Sequence, residues 1–399
     1  MMARRVESII CALIIFGVFL VACGARHGAS VRDDDSAGDD DNDDSTASDD
    51  DSGDDDSTPI SDDDVSPPPD DDSTPGDDDS VTGSWTQMNS NTVANLHGVW
   101  GSASDDVFAV GYGYGFDGTV LHYDGTSWST PTTLGYQPEA IWGSEHDDVF
   151  VVDVADGGAY HFDGATWLQM TQALPVNLSG IWGSSPSDIF AVGWVLSDDD
   201  DNDDSETTID GAAGRNPKKY VYSADAILAC DGTIWASMPI PTGGQRLYGV
   251  WGSSNADVFA VGDNGHILHY DGTFWSSMSS ATTSHLYGVW GTAHADVFAA
   301  GWATQSVIVH FDGAEWNSTA LPANFYGSAV WGSSPTNVFA VGENYPPNPG
   351  ASAIVHFNGS NWQQVNPGVF DGLHAVWGSG PNDVFAVGDN GMILHYAGP

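Results

Sequence analysis

The chain has 399 residues, with 56 aspartates and glutamates against 8 lysines and arginines, so its formal net charge is −48. This acidity argues against a nucleic-acid partner, because phosphate backbones would be repelled. It also argues against a site built from several convergent arginines, since residues 81–399 contain only four basic side chains: Arg215, Lys218, Lys219 and Arg246.

The N-terminus has the pattern of an export signal. Two arginines precede an apolar run over residues 9–21, which is shorter than the roughly 20 residues of a membrane-spanning helix. The run ends in Leu20-Val21-Ala22-Cys23, which resembles a bacterial lipobox. The resemblance implies a signal peptide over residues 1–22 and lipidation of Cys23; an ordinary signal peptide with an incidental cysteine is the alternative. Gly24, in place of an inner-membrane retention residue, favours the outer membrane or cell surface within the cell envelope.

Residues 23–80 form the predicted tether. Twenty-three of residues 33–80 are aspartates and almost none is large and apolar, so the segment cannot bury enough surface to offset chain entropy. We expect a disordered spacer that lifts a domain off the membrane. A calcium-binding tract is the alternative, but the glycine turn and spaced ligands of a defined loop are missing. Only diffuse binding of divalent cations to the aspartate clusters is therefore expected.

Residues 81–399 consist of one motif repeated seven times. A Trp-Gly pair recurs every 39 to 46 residues, apart from one interval of 69 that contains an acidic insert at about residues 195–220. Within residues 247–278, four short apolar runs alternate with turn-forming residues. Four strands per 40 residues predict one propeller blade. The sequence therefore predicts an all-β fold, a seven-bladed β-propeller of four-stranded antiparallel blades. The seven tryptophans are Trp100, Trp142, Trp182, Trp251, Trp290, Trp331 and Trp377.

The two ends of the repeat region complement each other. The last copy lacks its fourth strand, whereas a Trp-bearing strand over residues 84–88 precedes the first copy. We predict that this N-terminal strand completes the last blade and closes the ring without an exposed sheet edge. The copies resemble bacterial propeller repeats of the form WGSSPSDVFAVGDNGTILHYDGTSW, which occur in large acidic lipoproteins of unknown role. Asp271-Gly272-x-x-Trp275 is similar in part to the Asp-box of sialidase-like propellers, although here Asp directly precedes Gly.

Two polar residues recur in the copies, and both are interpreted as structural. An Asp or Asn follows each Trp by six residues, as expected for a residue that bonds its own turn. A histidine precedes the third-strand aromatic residue in six copies, and such histidines lie too far apart around a ring to bind one metal. We therefore expect a hydrogen bond within each blade, no defined metal site and no cofactor. The remaining copy has Cys230, which is expected to be a buried free thiol.

One face of the predicted propeller carries the candidate binding site. The turns between strands 1 and 2 and between strands 3 and 4 barely vary, whereas the connections between strands 2 and 3, on the other face, differ strongly. Loops presented by a rigid scaffold are where binding usually resides. These connections supply Tyr112, Tyr114, Phe116, Trp194, Trp302 and Tyr345. The position three residues before each Trp-Gly also varies and is expected near the channel mouth; it holds His97, Glu139, Ser179, Tyr248, Tyr287, Ser328 and His374.

These features favour a membrane-anchored, noncatalytic binding or interaction scaffold, monomeric, with a protein or glycan ligand. Loops that vary because nothing constrains them are an alternative. A multivalent lectin would repeat its binding residues in every blade, so one asymmetric site is expected here. The second hypothesis is a glycosidase or lyase acting on extracellular polysaccharide, with His97, His374 and Glu139 as acid or base. No Ser-His-Asp pattern, P-loop or HExxH segment supports it.

Overall fold

The computed structural model describes residues 83–155, 157–170, 176–198, 220–241, 243–303, 306–319, 321, 325–344 and 351–398. The predicted signal peptide, the tether with Cys23, the centre of the acidic insert and Tyr345 lie outside these ranges. Within them, no helix has the length and apolar character that crossing a membrane requires.

In the described part of the chain, twenty-eight strands form seven four-stranded antiparallel sheets. The first strand, β1 (Ser84–Gln87), precedes six blades that are continuous in the chain. Blades 1 to 3 are β2 (Asn95–Ala103), β3 (Asp106–Tyr112), β4 (Gly118–Tyr123) and β5 (Thr132–Thr133); β6 (Pro138–Glu145), β7 (Asp148–Asp153), β8 (Ala159–Phe162) and β9 (Trp167–Gln169); and β10 (Val176–Ser185), β11 (Asp188–Asp198), β12 (Tyr220–Cys230) and β13 (Trp235–Ser237).

Blades 4 to 6 are β14 (Leu247–Ser254), β15 (Asp257–Gly262), β16 (Ile267–Tyr270) and β17 (Trp275–Met278); β18 (His285–Ala293), β19 (Asp296–Trp302), β20 (Ser306–Phe311) and β21 (Trp316–Thr319); and β22 (Phe325–Ser334), β23 (Asn337–Asn344), β24 (Ala351–Phe357) and β25 (Trp362–Val365). Blade 7 has β26 (Leu373–Gly380), β27 (Asp383–Gly388) and β28 (Ile393–Ala397). In blades 4 and 7 a single 3-10 turn, Asp263–Gly265 or Asp389–Gly391, joins strands 2 and 3. The predicted seven-bladed propeller is confirmed.

The N-terminal strand closes the ring as predicted. Blade 7 has the strand order β1-β28-β27-β26, and Trp85 pairs with Tyr396 in the antiparallel register. The indole of Trp85 lies 5.4 Å from the ring of Tyr396 and 5.9 Å from that of Phe339, measured between ring centroids. The closing strand therefore contributes an aromatic side chain to the packing between blades 6 and 7, besides its hydrogen bonds.

The repeated Trp-Gly joins each blade to the next. A Cβ added to Gly143 would lie 2.6 Å from the indole of Trp100 in the preceding blade, and one added to Gly183 would lie 2.6 Å from that of Trp142. The same contact occurs at every junction, including Trp377 over Gly101, which completes the circle. Glycine is needed at this position because the neighbouring indole occupies the space of a side chain.

The second strand of each blade is apolar on both sides because it lies between neighbouring blades. In β15 the run Val-Phe-Ala-Val is buried throughout, and Phe259 has no exposed surface. Phe259 packs with Leu286 and Val297 of blade 5, and comparable clusters fill the spaces between the other blades. Because both faces of this strand are buried, its residues are apolar without interruption. A strand with one exposed face would alternate apolar and polar residues.

In five blades the recurring Asp and His form a bonded pair, and in blade 6 Asn337 takes the place of the Asp. In blade 4, His269 Nε2 lies 2.7 Å from Asp257 Oδ1, and the hydroxyl of Ser253 donates to Asp257 Oδ2. The expected histidine hydrogen bond is thus confirmed in all six blades that carry the histidine: His122–Asp106, His161–Asp148, His269–Asp257, His310–Asp296, His356–Asn337 and His395–Asp383.

The role of the recurring Asp differs from the expected bond to its own turn, because its partners are side chains. The turn-bonding role belongs to the Asp or Asn that begins the 3–4 turn in blades 1 to 6. Asp271 Oδ1, for example, accepts hydrogen bonds from the backbone N–H groups of Thr273 and Phe274. In blade 3 the histidine is replaced by Ala229, and Cys230 beside it is a buried free thiol, as expected.

Two blades depart from the regular pattern. In blade 1 the expected Trp-bearing fourth strand is broken: Trp128 makes one isolated bridge to Tyr123, and β5 has only two residues. In blade 3 the strands that flank the acidic insert are the longest hairpin of the propeller, since β11 and β12 pair out to Asp198 and Tyr220.

Candidate functional site

Every first strand contains a β-bulge at the same place, and the bulged residue is the variable one. In β2 the register with β3 shifts between Leu96 and Gly98, which leaves His97 unpaired in the ladder. A bulge changes the direction of a side chain, so each blade turns one side chain towards the channel. The seven bulged residues are His97, Glu139, Ser179, Tyr248, Tyr287, Ser328 and His374.

A glycine or alanine follows each bulged residue because the inner strands of adjacent blades approach closely there. A Cβ on Gly180 would lie 2.6 Å from the carbonyl oxygen of Tyr248, and one on Gly249 would lie 2.6 Å from that of Tyr287. The variable position was predicted from the sequence, but its bulge was not. The small residue that follows it in all seven copies is the signal that could have revealed one.

All seven bulged side chains line one pocket of about 510 Å³ at the channel mouth. Trp302, Tyr326 and Glu343 also line it. Tyr326 and Glu343 were not among the predicted site residues; they face each other across the ladder between β22 and β23. A volume in this range accommodates a small molecule or a few residues of a peptide.

One side of the pocket is an aromatic arc, formed by Tyr248, Tyr287, Trp302 and Tyr326. Successive ring centroids lie 4.9, 6.0 and 4.6 Å apart, so the rings form a continuous series across blades 4, 5 and 6. Rings in this arrangement offer a large apolar surface with polar tips. The hydroxyl of Tyr248 donates to Asp263 in the neighbouring turn, which fixes the orientation of that ring.

The opposite side of the pocket is an ionisable arc, formed by Glu343, His374, His97 and Glu139. The rings of His374 and His97 are stacked with centroids 4.9 Å apart. His97 Nδ1 lies 3.6 Å from Glu139 Oε1, and His374 Nε2 lies 2.9 Å from Asp389 Oδ1. The arc runs from blade 6 through the closure in blade 7 to blade 2.

The two stacked histidines have opposite protonation tendencies. Burial, and next the charge of His374, lower the pKa of His97 to about 3. Burial also acts to lower the pKa of His374, but the hydrogen bond and the charge of Asp389 outweigh it, so that pKa is raised. Burial raises the pKa of Glu139 to about 7, against the opposing effect of His374. At neutral pH the arc therefore holds an uncharged His97 beside Glu139, whose charge changes near neutrality.

The residues predicted from the variable connections are more scattered. Tyr112 stacks on His97 with centroids 4.6 Å apart but does not itself line the pocket. Tyr114 is fully exposed, and Phe116 stacks on Tyr136; neither lines the pocket. Trp302 lines the pocket, and Tyr345 lies outside the described residues.

Trp194 was predicted as an exposed residue of the variable binding face, but in the structure its side chain is buried. It is 8% exposed, and its ring lies 6.0 Å from that of Tyr248 in an edge-to-face contact. The guanidinium of Arg246 covers the same indole at 5.5 Å. Trp194 thus supports the aromatic arc from behind. The contact with blade 4 that buries it depends on ring packing, which the local sequence does not show.

The fold and the site define a seven-bladed β-propeller with one asymmetric pocket at the mouth of its channel. No protein-family model matches the chain, and no curated protein sequence does either.

Solved propeller structures are similar in fold. Virginiamycin B lyase from Staphylococcus aureus matches with a TM-score of 0.61 and 12% identity, covering 79% of this chain and 99% of its own. YCF48 bound to a D1 peptide matches with a TM-score of 0.57 and 16% identity, covering 79% and 97%. The WD40 propeller domain of Doa1 matches with a TM-score of 0.56 and 7% identity, covering 78% and 95%. At these identities the likeness shows the fold alone.

Proposed function

We propose that the propeller is a noncatalytic binding domain that holds a segment of a protein ligand in the channel-mouth pocket. The observation that carries the proposal is the division of one pocket into an aromatic arc and an ionisable arc. An extended peptide with an apolar side chain on one side and a basic side chain on the other satisfies both arcs at once. The fold similarity to YCF48, which is seen with a bound peptide, supports this ligand class.

Charge favours a basic segment. Glu343 lines the pocket, Glu139 beside it gains a negative charge as the pH rises through its pKa of about 7, and the chain as a whole is strongly acidic. A negative pocket attracts basic ligands and repels acidic ones, which contributes to specificity and to the association rate. Because the seven bulged positions hold four different residue types, one asymmetric site is favoured over seven equivalent ones. A glycan remains the other ligand class to be tested.

The test is a comparison of pocket variants on selected ligands. The mature full chain is screened against a random peptide library and a glycan array, and enriched ligands are titrated into Tyr287→Ala, Trp302→Ala and Phe274→Ala. Phe274 is the matched control, because it is a 61% exposed aromatic residue in a 3–4 turn on the opposite face. We expect basic peptides to be enriched and both arc variants to weaken binding about tenfold or more, about 1.4 kcal/mol. Equal binding by all variants would contradict the proposal.

We also propose that the chain is a lipoprotein of the bacterial cell envelope, at the outer membrane or cell surface, in which the acidic tether displays a monomeric propeller. The lipobox-like Leu20-Val21-Ala22-Cys23 and the resemblance of the repeats to those of acidic lipoproteins support this. Metabolic labelling with an alkyne fatty acid tests it. Wild type and Cys230→Ala should be labelled, and Cys23→Ala should not. Label retained on Cys23→Ala would refute the anchor.

A second candidate function is a lyase or glycosidase acting on extracellular polysaccharide. The observation that favours it is the arrangement of His97, His374 and Glu139, with pKa values displaced in different directions inside one pocket. One of the similar structures is a catalytically inactive histidine-to-alanine variant of virginiamycin B lyase. Turnover of a polysaccharide panel by wild type, lost in His374→Gln and retained in Phe274→Ala, would establish this function in place of simple binding.

A further inference from the structure

Two clusters of one aspartate and two histidines lie between adjacent blades at the 1–2 turns, on the face opposite the pocket. The first comprises Asp106 and His122 of blade 1 with His146 of blade 2. The second comprises Asp257 and His269 of blade 4 with His294 of blade 5. In each cluster, all three potential ligand atoms lie within 4.8 Å of one another.

The two clusters have the same geometry. His122 Nε2 and His146 Nδ1 each lie 2.7 Å from the same oxygen, Oδ1 of Asp106. The corresponding distances to Asp257 Oδ1 are also 2.7 Å for both histidines of the second cluster. The other carboxylate oxygen accepts a hydrogen bond from a serine hydroxyl, Ser102 in the first cluster and Ser253 in the second. A single carboxylate oxygen and two imidazole nitrogens therefore converge on one point at each junction.

The second histidine of each cluster is not required by the fold. The Asp–His pair forms in other blades without it, and the position of His146 and His294 is occupied there by Ser104, Pro186, Asn255, Pro335 and Pro381. Both histidines are 53% exposed, so they contribute little to the core. These two histidines lie outside the repeated pattern of one third-strand histidine per blade. Their placement against the preceding blade becomes visible only in the folded ring.

We propose that each cluster binds one divalent transition-metal ion of the zinc class, held by the aspartate and the two histidines, with one position left open. Imidazole nitrogen and carboxylate oxygen are the ligands that Zn²⁺ and its neighbours accept. Bonds of about 2.0–2.1 Å in a tetrahedral site put ligand atoms roughly 3.3 Å apart. Both imidazole nitrogens of a cluster, which lie 2.7 Å from the carboxylate oxygen, need to move away from it by about half an ångström to reach this spacing.

The surroundings suit such an ion. The serine hydroxyl orients the aspartate through its second oxygen, as residues around metal ligands commonly do. The acidic chain also concentrates cations around itself. Each ion would link two neighbouring blades, and metal binding would therefore stabilise the folded ring.

The test is a titration of the mature full chain with cobalt chloride, after removal of metal with a chelator. Excess Mg²⁺ occupies the carboxylates of the tether, so the visible absorption of Co²⁺ reports sites that contain nitrogen ligands. We expect two equivalents for wild type, one for His146→Asn, one for His294→Asn and none for the double variant. Asn stands at this position in blade 4, so the substitution suits the turn.

The matched control is His310→Asn. His310 pairs with Asp296 in the same way, but blade 6 carries Pro335 where a third ligand would stand. This variant should keep two equivalents. The X-ray absorption spectrum of zinc-loaded wild type provides a readout that needs no variant, and we expect two imidazoles per zinc. Oxygen-only coordination, or a double variant that binds as much cobalt as wild type, would overturn the proposal.

Discussion

At the scale of single residues, the bulged position of each first strand is variable in sequence and lies at the channel-mouth pocket. Its variability alone indicated a site near the channel mouth, and the structure brings all seven side chains to one pocket. The contacts among them could not be predicted. His97 and His374 are separated by most of the chain and stack only because the ring closes between blades 7 and 1. Tyr326 and Glu343 were missed because neither occupies the repeated variable position.

The raised pKa of Glu139 makes a prediction about stability. Its pKa is about 7 in the folded chain and about 4.5 when exposed, so the folded state binds the proton more tightly. Ionisation therefore costs stability as the pH rises from about 4.5 to 7, and the cost is constant above that range. We expect Glu139→Gln to have little effect at pH 4 and to increase the free energy of unfolding by about 1–3 kcal/mol at pH 8.

Urea unfolding across this pH range measures the effect. Glu145→Gln is the control, because Glu145 lies exposed at the other end of β6, and it should change stability little at any pH. A gain from Glu139→Gln that is as large at pH 4 as at pH 8 would show that the buried charge is not the cause.

At the scale of the element, each blade follows from local sequence, whereas the junctions between blades do not. Short apolar runs and turn residues predict the strands, and the period near 40 predicts their grouping into blades. The Trp-Gly pair is explained by a contact between blades, since the indole of each Trp packs over the glycine of the next blade. The fourth strand of blade 1 could not be predicted from the repeat. Trp128 is present there, but it makes only one isolated bridge, and β5 consists of two threonines.

The close approach predicts that Gly378 cannot take a side chain. A Cβ there would lie 2.6 Å from the indole of Trp331 and 2.6 Å from the carbonyl oxygen of Asp383. We expect Gly378→Ala to lower the free energy of unfolding by about 1–3 kcal/mol, since backbone and a packed ring must both shift. Gly380→Ala, two residues further along β26, meets no atom within 4 Å and should be close to neutral. Equal losses in the two variants, measured by thermal unfolding, would refute this account.

At the scale of the whole molecule, the ring is closed by strand pairing within blade 7, where β1 and β28 are joined by hydrogen bonds and not by the chain. This closure could be predicted from the sequence, because an extra strand precedes the first repeat and the last repeat lacks its fourth strand. The sequence could not show how closure builds the site. The ionisable arc spans the closure, with His374 in blade 7 and His97 in blade 1, so the ring and the pocket depend on the same junction.

Removal of the closing strand should therefore destabilise the propeller. We expect deletion of residues 84–87 to lower the melting temperature by several degrees and to promote association, because the edge of β28 becomes exposed. Deletion of four residues within the tether, such as 33–36, is the length-matched control and should leave both properties unchanged. A melting temperature unaffected by loss of residues 84–87 would show that closure does not support the ring.

The central claim is that the channel-mouth pocket holds the ligand. Its most direct test is to fill the pocket: Ser328 lines it from blade 6, so Ser328→Trp places an indole inside it. The measurement is the dissociation constant of the tightest ligand selected by the wild-type chain, with the melting temperature recorded alongside. We predict that Ser328→Trp keeps its melting temperature and loses binding by at least tenfold. Unchanged binding by this stable variant would show that the ligand site lies elsewhere.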